Sequence, residues 1–265
     1  MHPPASVEPP RAVLRRWPLY LGGGALVLAV LLGVLIVLRQ QAGLIGLDEE
    51  WAKEMLDIRG PVGTALATIF DTVGGHLVGT YVVPAVITVL LFVFKRRWAA
   101  FYFLVTTLAS ALGVQILKHL FGRARPEDML VTSDFGSFPS GHVANAVTMA
   151  VTLSVIFPVV WVWIAGAAWS IMMALSRTYL GAHWLTDTLG GALVGVGVAL
   201  LLWLPFAAQL AAERPGPPST HADPAQADGG TTDVAPTDSG ATDAGATDSG
   251  ATDAAPADAE STDAE

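Results

Sequence analysis

Cysteine is absent from the 265 residues, which excludes disulfides, thiol nucleophiles and thiolate metal sites. Charge is scarce as well. Asp, Glu, Lys and Arg make up 14% of the chain, against about a quarter in an ordinary soluble domain. Hydrophobic residues reach 52% and the mean hydropathy is +0.53. Together these values exclude an ordinary water-soluble domain and indicate a polytopic membrane protein. The net charge of −9 is misleading. Of the 23 acids and 14 bases, 12 acids and one base lie from Glu213 onward, which leaves 11 acids and 13 bases before it. The acidity belongs to the tail and carries no information about a substrate. No nucleic-acid partner is expected.

Residues 1–18 are Pro-rich and carry Arg11, Arg15 and Arg16. The apolar run Leu19–Leu38 follows. At about 20 residues it exceeds a signal-peptide core, and no small-x-small site comes after it, so it reads as a signal-anchor helix. Further apolar runs cover Leu77–Phe94, Trp98–Leu117, His142–Phe157, Val159–Leu175 and Trp184–Pro205. The expected fold is all-α, a six-span helical bundle over residues 19–212. Pro158 suits a tight turn between the fourth and fifth runs. In "LDEEWAKEMLDIRG", Leu47, Trp51, Met55 and Ile58 recur at helical spacing, as in a short amphipathic helix at the membrane surface or an ordinary loop helix. From residue 213 the chain turns to Ala, Thr, Asp, Gly, Ser and Pro, with Asp at every fifth position from Asp223 to Asp263. That period fits neither helix nor strand, and a disordered tail is expected.

Six spans place both termini on one side. The basic residues divide evenly between the two sides until Lys118, Arg125 and Arg177 are assigned to a site. The remainder, including Lys95, Arg96 and Arg97 in one short loop, predicts cytoplasmic termini. The same alternation brings four polar helix ends to the opposite, extracytoplasmic face: "LKHLFGRARP", "FPSGH", "LSR" and "GAHWLTD".

Those ends carry the chemistry. Lys118, Arg125 and Arg177 are three cations suited to phosphate oxygens. Pro139 stops any preceding helix, Ser140 is a good N-cap, and Gly141 allows close approach, so the first amides of the next helix form an anion site. His183 and Asp187 are four apart; on one helix face the carboxylate would orient the imidazole for attack. His142 is a second imidazole, able to act as acid. A nucleophilic His, an acidic His and an anion cage suffice for phosphate ester hydrolysis through a phosphohistidine. No metal or other cofactor is required. Arg123, outside this spacing, reads as a membrane-interface anchor, His119 as incidental or as a support behind the site, and His76 as a structural or substrate-entry residue. Ser140, His183 and Asp187 also have the residue types of a serine hydrolase triad, and two His with an Asp those of a zinc site.

The three strings "KHLFGRARP" (118–126), "PSGH" (139–142) and "SRTYLGAHWLTD" (176–187) resemble the motifs of the type 2 phosphatidic acid phosphatase family: K-x6-R-P, P-S-G-H and S-R-x5-H-x3-D. The resemblance spans roughly Leu77 to Pro205. It implies a six-span bundle with an outward-facing site acting on a lipid phosphate. It also implies that Lys118, Arg125, Ser140, Gly141 and Arg177 bind phosphate, with His142 as acid, His183 as nucleophile and Asp187 as its partner. Vanadium-dependent haloperoxidases share these motifs. A lipid phosphotransferase would use the same site, and a non-enzymatic transporter is a further alternative. The acidic tail is no part of the family pattern.

Overall fold

A chain crossing a bilayer must satisfy its backbone hydrogen bonds internally, and a helix does so within one segment. The computed structural model describes residues 16–40, 46–75 and 77–214, with helices and no strand among them. The Arg-rich start of the chain, His76 and the acidic tail from residue 215 lie outside the described residues.

The helices are α1 (Trp17–Gln40), α2 (Gly46–Asp57), α3 (Pro61–Gly74), α4 (Val83–Val93), α5 (Arg97–Phe121), α6 (Gly141–Ile156), α7 (Val160–Tyr179) and α8 (Leu185–Ala212), with a π-helical turn at Val78–Val82. Five helical runs are long and apolar enough to cross a membrane: Trp17–Arg39, Pro61–Val93, α5, α7 and α8. The sixth, α6, has 16 residues, or about 24 Å of helix. Pro158 separates α6 from α7 as expected, and α2 is the helix read in "LDEEWAKEMLDIRG".

The second span differs from its expected bounds. It begins at Pro61 rather than Leu77. Pro61 opens α3 at a position where its missing N–H costs nothing. Asp71 and the pair Gly74–Gly75 break the apolar run in the sequence, but Asp71 is buried against Arg177 of α7. Its charge is met inside the bundle, so the helix can continue past it. The π-helical turn falls directly before Pro84, where the regular hydrogen-bond ladder cannot continue.

α8 packs against α1 and α6, α6 also packs against α7 and α5, and α3 lies on α7. Gly191 sets the approach of α8 to the head of α6, since a Cβ there would lie 2.4 Å from the Ser140 carbonyl oxygen. At the other end of the bundle, Phe103, Met149, Ile156 and Leu210 form a core cluster. There Tyr102 donates a hydrogen bond to the Ala199 carbonyl at 2.8 Å, joining α5 to α8. Leu28, Leu31, Val89, Leu112 and Ile164 point outward and are exposed. So much outward-facing apolar surface suits a hydrocarbon surround.

Candidate active site

The ends of α5, α6, α7 and α8 that carry the three motifs meet at one end of the bundle. Lys118, Gly141, His142, Arg177 and His183 line a single cavity of about 950 Å³. Arg125 reaches the same place, with a guanidinium nitrogen 3.3 Å from His183 Nε2. The convergence expected from the alternation of spans is therefore present in the fold.

His183 precedes α8 instead of lying on it, in a turn that passes through left-handed Gly181 (φ 68°). The helical i, i+4 geometry expected for His183 and Asp187 does not form. His183 Nδ1 lies 2.8 Å from the Ser137 carbonyl oxygen and 3.6 Å from Asp187 Oδ2, too far for a hydrogen bond to the carboxylate. A carbonyl can only accept, so Nδ1 carries the proton and Nε2, turned toward Arg125, keeps its lone pair. Burial holds the His183 pKa well below its usual value, and the charges of Arg177, Arg125, Lys118 and His142 push it the same way. The ring is thus neutral at neutral pH and can act as a nucleophile.

Asp187 is fixed from other directions. Its Oδ2 accepts the Trp184 N–H at 2.9 Å, as a residue in the first turn of a helix can. Its Oδ1 accepts from Arg123 at 2.6 Å. Arg123 is 2% exposed and also donates to Asp48 Oδ2 at 2.7 Å and Thr186 Oγ1 at 2.7 Å. The expectation of an interface anchor is wrong for this residue. With a carboxylate on each side, the charge of Arg123 is met inside the bundle. Asp48 also accepts the Thr186 amide at 2.9 Å, so α2 is tied to the start of α8.

Ser140 heads α6 as the N-cap residue, but its side chain makes no capping bond. Its Oγ is buried without a hydrogen-bond partner in the structure, so the triad geometry of a serine hydrolase is not formed. The Ser140 amide donates to the Asp187 carbonyl at 2.9 Å, linking α6 to α8. His119 stands apart: it is exposed, with Nδ1 2.8 Å from the Gln115 carbonyl oxygen and its ring near Phe135.

Two carboxylates were not anticipated as site residues. Asp134 Oδ1 lies 2.8 Å from both Lys118 Nζ and an Arg125 nitrogen, and its side chain is 56% exposed. Burial would raise the Asp134 pKa, but the hydrogen bond and charge of Lys118 and the charge of Arg125 outweigh it, so the net direction is down. Asp71 meets Arg177, and its Oδ1 lies 3.1 Å from His142 Nε2. A lone acid in an apolar stretch, "TIFDTVGG", is the signal that could have found Asp71. Asp134, in a polar loop, offered none.

The site can thus present an uncharged imidazole, a second imidazole and three cations to one anion. Residues 99–210, which contain all three motifs, match the family model of the PAP2 superfamily. The chain is 32% identical over 124 residues to an undecaprenyl-diphosphatase of Sulfolobus acidocaldarius, covering 43% of this chain and 59% of that protein. It is 28% identical over 168 residues to phosphatidylglycerophosphatase B of Bacillus subtilis, covering 56% of this chain and 78% of that protein. The match therefore spans about three fifths of the length of the first of these relatives. Among solved structures, the PAP2-type phosphatidylglycerolphosphate phosphatase of Bacillus subtilis superimposes with a TM-score of 0.63 at 26% identity, over 74% of this chain and 100% of that one. With its motifs assembled on this fold around one cavity, the chain is similar to the PAP2 superfamily over residues 99–210.

Proposed function

We propose that the protein is an integral-membrane lipid phosphatase that hydrolyses a phosphate monoester or pyrophosphate through a phosphohistidine at the extracytoplasmic face. The observation that carries this reading is the orientation of His183: its free Nε2 faces a cavity shared with Lys118, Arg177 and His142. The cavity continues beside α5 past Ala111 and Leu108 to Leu104. From Lys118 to Leu104 is about 21 Å of helix, with the charged groups at one end and Leu104, Leu108 and Ala111 beside Thr107 and Ser110 toward the other. That division matches a phosphate attached to a lipid chain.

In the proposed reaction, Lys118, Arg125 and Arg177 receive the phosphate oxygens, with the amides at the head of α6 beside them. His183 Nε2 attacks phosphorus as the bond to the lipid oxygen breaks, and His142 gives its proton to that oxygen. The positive charge that develops on His183 is stabilised by the Ser137 carbonyl and the nearby Asp187 carboxylate. Water then cleaves the N–P bond, returning a proton to His142 and releasing phosphate. The test is phosphate release by purified protein from undecaprenyl pyrophosphate, phosphatidylglycerol phosphate and phosphatidic acid, with and without EDTA. Release from at least one lipid, unchanged by EDTA, is expected; a strict metal requirement contradicts the mechanism.

Asp134 pairs with two of the three cations, Lys118 and Arg125, so it competes with a substrate phosphate for them. Asp134→Asn is expected to lower KM for a lipid phosphate roughly tenfold, the equivalent of about 1.4 kcal/mol, with little change in kcat. An increase in KM would make Asp134 part of substrate binding.

The proposed orientation places both termini in the cytoplasm, with residues 19–212 carrying the chemistry and 213–265 separable from it. Protease applied to intact cells is expected to leave residues 215–265 uncut, and to cut them once the cells are opened. Deleting them should leave kcat/KM within about twofold, because a segment so poor in apolar residues has little to pack with. Cleavage in intact cells would reverse the orientation.

A further inference from the structure

Asp71 is 3% exposed within the apolar run Pro61–Val93. A carboxylate at such a place is costly unless charged or hydrogen-bonding groups meet it. It is met by two groups of the site, one from each of two other helices: Arg177 of α7, and His142 of α6 with Nε2 at 3.1 Å. The backbone beside it is shaped for this approach. A Cβ on Gly75 would lie 1.6 Å from His142 Nε2, so any larger residue there would force the imidazole out of place. Asp71 also lies outside residues 99–210, the part of the chain that matches the family model.

We propose that Asp71 is a positioning residue of the same site, and that its carboxylate aims the His142 imidazole and anchors the Arg177 guanidinium beside it. The inference rests on the proposed role of His142 as the acid that protonates the leaving oxygen. Asp71 itself exchanges no proton. With Oδ1 3.1 Å from His142 Nε2 it would limit how the ring turns, while α6 fixes where the ring is rooted. The site then contains two imidazoles, each with an oxygen beside it: His183 with the Ser137 carbonyl, and His142 with Asp71.

The test uses two substrates that differ in their need for an acid. Phosphatidic acid releases a poor alkoxide leaving group that needs a proton, whereas p-nitrophenyl phosphate releases a stable phenolate that does not. The readout is the ratio of the two kcat values. Because it is a ratio, it does not depend on how much of a variant is folded. His142→Gln is expected to lower kcat on phosphatidic acid by about 100-fold, and on p-nitrophenyl phosphate by less than tenfold. Asp71→Asn is expected to shift the ratio in the same direction, and Asp71→Glu to restore at least part of it. If His142→Gln shifts the ratio and Asp71→Asn lowers both rates equally, Asp71 is structural only and the inference is overturned. Higher activity in Asp71→Asn overturns it too, because the carboxylate would then be obstructing the site. If His142→Gln leaves the ratio unchanged, the role given to His142 fails first, and the inference falls with it.

Discussion

Replacing His183 with Ala is expected to remove phosphate release altogether, a loss of roughly 10⁴-fold or more, as when other covalent nucleophiles are removed. The expectation follows from how the ring is held. Its Nδ1 proton is committed to the Ser137 carbonyl, so only Nε2 can attack. Burial and the surrounding cations keep the ring unprotonated. The direction of that shift matters. With its pKa below the usual value near 6.5, His183 stays neutral as the pH falls through that value, and the nucleophile is not lost under mildly acidic conditions. Ser140 and His142 are its neighbours among the candidate groups. Ser140 Oγ is buried without a hydrogen-bond partner, and His142 Nε2 faces Asp71. The variant should keep its fold, because the links Ser140–Asp187 and Arg123–Asp187 do not involve the imidazole. Phosphate release and thermal unfolding in detergent, measured side by side, check both halves. Near-normal turnover in His183→Ala would remove His183 from the chemistry.

Arg123→Met is expected to have the largest effect on stability. Arg123 joins Asp48 of α2 to Asp187 of α8, and all three side chains are at most 2% exposed. Removing the cation leaves two buried carboxylates facing each other across Thr186, which donates to Asp48. Loss of one partner from a buried ion pair costs about 3–5 kcal/mol, and here one change breaks two pairs. A clear drop in Tm is the expected result. Activity should fall as well, because Asp187 loses the group that holds its Oδ1. Arg123→Lys should recover little, since a single ammonium cannot reproduce a fork that spans two carboxylates. Asp48→Asn combined with Arg123→Met should recover part of the stability by removing one of the stranded charges. A Tm for Arg123→Met within about one degree of the parent protein would show that the network contributes nothing.

The residues that face the shared cavity were legible in the sequence because they sit in three short strings with fixed spacing. Lys118, His142, Arg177 and His183 come together as the alternation of spans requires. The groups that hold them were far harder to read. Asp71 and Arg177 are 106 positions apart, and Arg123 and Asp48 are 75 apart. No local pattern links residues so distant. Asp71 also disguised its own helix, because its charge ended the apolar run that marks a span. Arg123 was misread because a cation at a helix end is ordinarily an interface anchor, and only the fold places Asp48 and Asp187 on either side of it. The Ser137 carbonyl is backbone, which no side-chain motif can specify. The spacing of His183 and Asp187 misled in the opposite direction. It fits a helix, but α8 begins two residues after His183.

The proposed mechanism depends most on a covalent bond between phosphorus and His183 Nε2. Its most direct test is to quench the purified protein with alkali during turnover of a lipid carrying radiolabelled phosphate, and then to follow the label on the protein. A phosphoramidate survives base and is lost in acid. Label that is base-stable, acid-labile, mapped to the peptide containing His183 and absent from His183→Ala is the expected result. Label that survives acid, or that persists in His183→Ala, would contradict the mechanism.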